Sequence, residues 1–114
     1  MIHGLLIDPF ELSTSRVELS EDSTLADAKK FMQLEGPIDI VTLSDNTMVI
    51  VDDEALLKND MRYFKLSQFH QPLANRAIVV GYDEDGATTS LPFQEAFWDS
   101  YIATIEWMPE DHIE

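Results

Sequence analysis

Cysteine is absent from this chain of 114 residues, which removes disulfide frameworks, zinc–thiolate sites and thiol nucleophiles together. Glycine is scarce, at four residues, leaving little material for loops that cradle phosphate. No G-x-x-x-x-G-K-[ST], G-x-G-x-x-G or G-x-S-x-G pattern occurs. Apolar runs stop at about five residues, against the ~20 that a membrane-spanning helix needs. The start, Met1-Ile2-His3-Gly4, lacks the basic and apolar regions of a signal peptide. His3, His70 and His112 show no metal-ligand spacing, and none neighbours a nucleophile. These absences lead us to expect a soluble cytoplasmic protein with no catalytic residue, no cofactor and no bound metal.

Positive charge is the other scarcity. Seven Lys and Arg face 22 Asp and Glu, for a formal net charge of −15. Such a field repels nucleic acid and anionic membrane, so direct binding to either is not expected. It attracts basic protein surfaces, including those that hold DNA or RNA. Solubility alone would account for an evenly acidic chain. The charge here is segregated, however. Residues 1–57 carry twelve acids and three bases, residues 58–76 one acid and four bases, and residues 77–114 nine acids and no base. That segregation favours a functional surface.

What is present is enough for a core: 45% of the residues are hydrophobic, and Trp, Tyr and Phe are well represented. Ile2 to Ile7, ended by Asp8-Pro9, reads as a first strand, with Gly4 marking a bulge or a close backbone approach. Leu12, Val17 and Leu19 suggest a second strand, hairpin-paired with the first. A helix follows, capped by Ser23 or Thr24, with Asp27 in its first turn and Leu25, Ala28, Phe31, Met32 and Leu34 at helical spacing. Gly36-Pro37 is the expected stop, with Gly36 left-handed.

Ile38 to Leu43 and Met48 to Val51 read as a hairpin closed by Ser44-Asp45-Asn46, residues that tolerate left-handed backbone. Glu54, Leu56, Leu57 and Met61 suggest a short helical turn. The basic segment Lys58 to Arg76 carries Tyr63, Phe64, Leu66 and Phe69, which would anchor it to the sheet while its bases tie it to acidic neighbours. Ala77 to Tyr82 is apolar nearly throughout and is expected at the centre of a sheet. Asp85-Gly86 is the strongest hairpin signal, with Ala87 to Leu91 as the return. A second helix should start at Pro92, capped by Ser90, and bury Phe93, Ala96, Phe97, Trp98 and Tyr101. Ile105 and Trp107 would add an edge strand before the acidic tail Glu110 to Glu114. The expected architecture is a single α+β domain over residues 1–114, an antiparallel or mixed sheet of five to seven short strands packed by two helices.

Two acidic triplets stand out, Asp52-Asp53-Glu54 and Asp83-Glu84-Asp85. A calcium loop counted from Asp83 would need Gly at its sixth position and Glu at its twelfth, where Thr88 and Gln94 stand. Asp52-Asp53-Glu54 could serve Mg²⁺ in a nuclease, but no basic phosphate-binding residues accompany it. Both triplets fall at strand ends, where side chains project into solvent. Asp52, Asp53, Glu54, Asp83, Glu84 and Asp85 are therefore the expected partner-binding residues.

Four blocks stand in order along the chain: Leu6-Ile7-Asp8-Pro9, Leu34-Glu35-Gly36 with Ile38-Asp39-Ile40-Val41, Met48-Val49-Ile50-Val51-Asp52-Asp53-Glu54 with Leu57-Lys58, and Leu73-Ala74-Asn75-Arg76 before Ala77-Ile78-Val79-Val80-Gly81. Together they resemble a family of short uncharacterised domains common in bacteriophages and mobile elements. The similarity covers roughly residues 1–86 and departs from the family where Pro37 and Asn46 replace glycines; the helix from Phe93 to Thr104 lies beyond it. The resemblance implies a phage- or plasmid-borne origin, no known activity and no functional residues. The expected function is that of a small acidic interaction protein, not an enzyme. It would bind and inhibit a basic, nucleic-acid-binding surface of a bacterial host protein, as a nucleic-acid mimic. The alternative is an accessory module that self-associates as a homodimer, or binds a partner, through aromatic surface.

Overall fold

The computed structural model describes residues 1–43, 46–55, 61–67, 69, 71–91 and 95–108, without the side chains of Glu95 and Ala96. Its elements run β1 (Ile2–Asp8), β2 (Ser13–Leu19), α1 (Thr24–Met32), β3 (Ile38–Thr42), β4 (Thr47–Asp52), β5 (Tyr63–Lys65) and β6 (Leu73–Ala74). They continue with β7 (Ala77–Tyr82), β8 (Thr88–Thr89), α2 (Glu95–Ala103) and β9 (Glu106–Met108). Five strands form the main sheet in the order β2-β1-β7-β4-β3, and β8 joins it through β7. The second sheet has the order β6-β5-β9, and every described pairing is antiparallel. The domain is α+β as expected, but its short strands divide between two sheets where one was expected.

β7 is the centre of the main sheet. Strand side chains alternate faces, so a strand covered on both sides must be apolar throughout. On one face Leu5, Ile7, Val49, Ala77 and Val79 pack against Phe64, Leu66 and Leu73 of the second-sheet region and Trp98 and Tyr101 of α2. On the other, Ile2, Val17, Leu19, Met48, Ile50, Ile78 and Val80 pack against Ala28 and Met32 of α1. Trp98 is buried, with the Arg16 guanidinium 4.6 Å from its ring centroid. Of the broad aromatic face expected on α2, Trp98 and Tyr101 are therefore core, Phe97 is half-buried and Ile102 is exposed. Gly4 permits the close β1–β7 approach, because a Cβ there would stand 2.9 Å from the Val79 carbonyl oxygen.

Helix α1 departs from its sequence reading in three ways. Leu25 and Phe31 are 45% and 39% exposed, because nothing among the described residues covers the outer side of the helix. Ser23 is the N-cap by position but forms no side-chain cap bond. Instead the Asp27 carboxylate accepts the Ser20 N–H at 2.8 Å, and the Thr24 hydroxyl donates to the Ser20 carbonyl at 2.7 Å. The left-handed stop is Gln33 (φ 56°, ψ 47°), not Gly36. Gln33 N–H donates to the Lys30 carbonyl and Leu34 N–H to that of Lys29, which closes a Schellman motif with Leu34 tucked against the core. Glycine suits that conformation better, so Gln33→Gly is expected to raise stability by about 0.5–1 kcal/mol in chemical denaturation. An unchanged or lowered midpoint would contradict this account of the cap.

β3 is an edge strand. Leu43 N–H donates to the Thr47 carbonyl, which fixes the ladder phase and turns the Ile40 N–H outward. The Asp39 carboxylate takes that N–H at 2.8 Å, a device that blunts the edge against further strands. Asn46 adopts the left-handed backbone expected in the β3–β4 turn (φ 59°). The Ser90 hydroxyl, the expected cap of the second helix, accepts the His3 N–H at 2.8 Å and holds β8 in line with β1. The expected helix start at Pro92 and Phe93 lies outside the described residues, as do Ser44, Asp45, Leu56, Leu57, Lys58, His70 and the tail Glu110 to Glu114.

Candidate functional site

The β7–β8 turn is built on Asp83. Its carboxylate oxygen Oδ1 accepts the N–H of Asp85 and the N–H of Ala87, both at 2.9 Å. Asp83 N–H donates to the Ala87 carbonyl, and Gly86 N–H to that of Asp83. Gly86 takes the left-handed conformation (φ 82°) that the Asp-Gly pair predicts. Asp83, Glu84 and Asp85 are all exposed. Asp83 both shapes the turn and contributes charge, whereas Glu84 and Asp85 project freely.

The other triplet behaves differently. Asp52 is 7% exposed, and its Oδ1 accepts the Glu54 N–H at 2.9 Å. The last position of β4 turns inward, so Asp52 does not project into solvent as its place at a strand end suggested. Asp53 and Glu54 are exposed. The two triplets also lie apart. In the β4–β7 register Thr47 faces Gly81 and Ile50 faces Ile78, so β4 ends where β7 begins. Asp83 to Asp85 and Asp52 to Glu54 therefore occupy opposite ends of the main sheet, about 20 Å apart for a six-residue strand.

Each end gathers other charges. At the β7–β8 end, Ile2 faces Leu19 across the β1–β2 hairpin, which brings Glu18, Glu21 and Asp22 to the same pole. All three are exposed, and they stand two strands from β7, about 10 Å across the sheet. Segments 1–3, 18–24 and 81–91 of this pole contain no lysine or arginine. His3 approaches Glu18 at 3.8 Å. The opposite end is electrically mixed: Lys29, Lys30, Glu35 and Glu54 line one groove beside α1, and Arg76 pairs with Asp8 at 3.1 Å. Sequence reasoning missed Glu18, Glu21 and Asp22 because they join the pole only through the adjacency of β1 and β7. The β1–β2 hairpin was the one available signal, and it located half of that contact.

Among the described residues, no group of three or more His, Asp or Glu is placed to hold a metal ion, and no helix is long and apolar enough to cross a membrane. Two antiparallel sheets, one helix on the outer face of the larger sheet and an acidic pole whose segments hold no lysine or arginine define a small α+β domain. The chain belongs to the DUF3846 family, a domain of unknown function, whose model matches residues 2–104. The match includes α2, so the family likeness runs further than the roughly 86 residues legible from motifs. No curated protein and no solved structure matches the chain.

Proposed function

We propose that this protein is a non-catalytic, phage-type interaction factor of the bacterial cytoplasm that occupies a basic, nucleic-acid-binding surface on a host protein. Its acidic side chains stand in for phosphates. The observation that carries this reading is the pole made by Glu18, Glu21, Asp22, Asp83, Glu84 and Asp85, whose segments hold no lysine or arginine. Like charges held on rigid strand ends generate a directed field that steers a basic partner and repels nucleic acid. Asp53 and Glu54 lie too far away to share a small footprint, and Asp52 serves the turn.

The burial of Trp98 and Tyr101 takes those two rings out of the alternative, docking through aromatic surface, and leaves it to exposed Phe31 and the half-buried Phe97 and Trp107. Capture from a bacterial lysate at low salt, followed by mass spectrometry, tests the proposal. The expected catch is a DNA- or RNA-binding protein. Its affinity should fall at least about tenfold between roughly 50 and 300 mM salt, since exposed charges are screened within about a Debye length. Affinity that holds steady across that range would rule the mimic out.

A further inference from the structure

A second site is suggested at the mixed end of the sheet, independent of the acidic pole. There Phe10, the C-terminal corner of α1 and the β6–β7 corner enclose a cleft of about 100 Å³. Asn75 on its wall is 6% exposed. Its backbone N–H donates to the Arg62 carbonyl at 2.7 Å and its Oδ1 accepts the Arg62 N–H at 3.0 Å, so these atoms are spent on the corner. Its Nδ2 donates to no described residue. That amide is not shut away from solvent, although the residue as a whole is buried, so it remains a donor open to a bound acceptor.

Arg76, the next residue, is in a similar state. Its Nε donates to Asp8 at 3.1 Å, and its guanidinium stacks 4.7 Å from the Phe10 ring centroid. Neither Nη group donates to a described residue. Stacking and the Nε bond fix the plane of the guanidinium while leaving one edge available. Asn75 also holds a left-handed backbone (φ 67°) on the wall of this cleft, with no helix end to account for it. Strain of this sort concentrates where side chains are held for a purpose.

We propose that this cleft binds a small aliphatic monocarboxylate, held by the Arg76 guanidinium edge and the Asn75 carboxamide. A planar fork beside an amide donor complements a planar, singly charged acceptor. The apolar end of the ligand would lie against Phe10, Met32 and Leu34. Asp52 on the wall and Asp8 behind Arg76 set an upper limit on negative charge, so a phosphate dianion is disfavoured. The volume excludes a nucleotide.

The test is an NMR titration of the full chain with acetate, propionate and butyrate, with inorganic phosphate and propionamide as controls. A saturable shift of the Asn75 side-chain amide and the Phe10 ring is expected with the longer monocarboxylates. Asn75→Asp keeps the acceptor for Arg62 N–H and tolerates left-handed backbone, but reverses the donor. It should weaken binding at least about tenfold, equivalent to ~1.4 kcal/mol. Arg76→Lys, which keeps the charge and loses the fork, should do the same and covers the case in which Asn75→Asp fails to fold. No saturable shift with any monocarboxylate, equal affinity in the folded variants, or phosphate binding as tightly as butyrate would each overturn the proposal.

Discussion

Gly4→Ala is expected to lower the melting temperature by about 10 °C, and Gly4→Val to leave much of the chain unfolded at 37 °C. The new Cβ would stand 2.9 Å from the Val79 carbonyl oxygen, 3.0 Å from Val80 Cγ1 and 3.1 Å from Ile78 Cγ2. Two of those neighbours could turn aside. The carbonyl belongs to the backbone of β7, which is paired with both β1 and β4 and cannot retreat without opening the sheet. Overpacking of this kind costs about 1–3 kcal/mol for a methyl group, and more for a branched side chain. Gly86→Ala is the control. Its φ of 82° also disfavours alanine, but a Cβ there meets nothing within 4 Å. The expected loss is about 1 kcal/mol, from backbone conformation alone. Equal melting temperatures for the two alanine variants would refute the close-approach account of Gly4.

The contrast shows which parts of the fold a sequence can display. Gly86 follows an aspartate at a turn, so its role is written in a dipeptide. Gly4 could be suspected only as a break in an apolar run, since the contact that requires it is with residues 78–80. β7 was legible because burial on both faces removes polar residues from a whole strand. The second sheet was not, because β5, β6 and β9 are two or three residues long and β5 pairs with β9 across some forty residues of chain. Aromatic and branched residues in such short runs serve equally well as loop anchors. The helix stop was misplaced for a local reason: Gly36 is the better left-handed residue on propensity, but Leu34 reaches the core only if the helix ends at Gln33.

The same limit governs the acidic site. Charge could be counted, and the triplet at the β7–β8 turn was evident. Which acids share a surface depends on strand order and register. Asp52 was expected to project because it stands at a strand end, but it shares the face of Met48 and Ile50 and lies in a cleft with the C-terminal corner of α1, Asn75 and Arg76, and its carboxylate takes the Glu54 N–H. Glu18, Glu21 and Asp22 looked like ordinary hairpin and linker residues until β1 was seated beside β7.

Neutralising the pole separates the functional reading from general acidity. The fourfold variant Glu21→Gln, Asp22→Asn, Glu84→Gln, Asp85→Asn removes four charges while keeping side-chain shape. Asp83 is left in place because its carboxylate carries two turn bonds. Relief of like-charge repulsion should leave stability unchanged or slightly raised. Association with the basic partner should slow by about 10–100-fold at low salt, with the dissociation rate less affected, because charges at an exposed rim act mainly by steering. The comparison variant Asp53→Asn, Glu54→Gln, at the mixed end, should change the rate about twofold at most, because that end lies outside the steering field. Both variants slowing in proportion to the charge removed would mean that net charge alone is responsible. Neither slowing would mean that the partner meets another face. Only the asymmetric result, a large loss at the β7–β8 pole and little at the opposite end, assigns the recognition of a basic surface to the geometry of the main sheet.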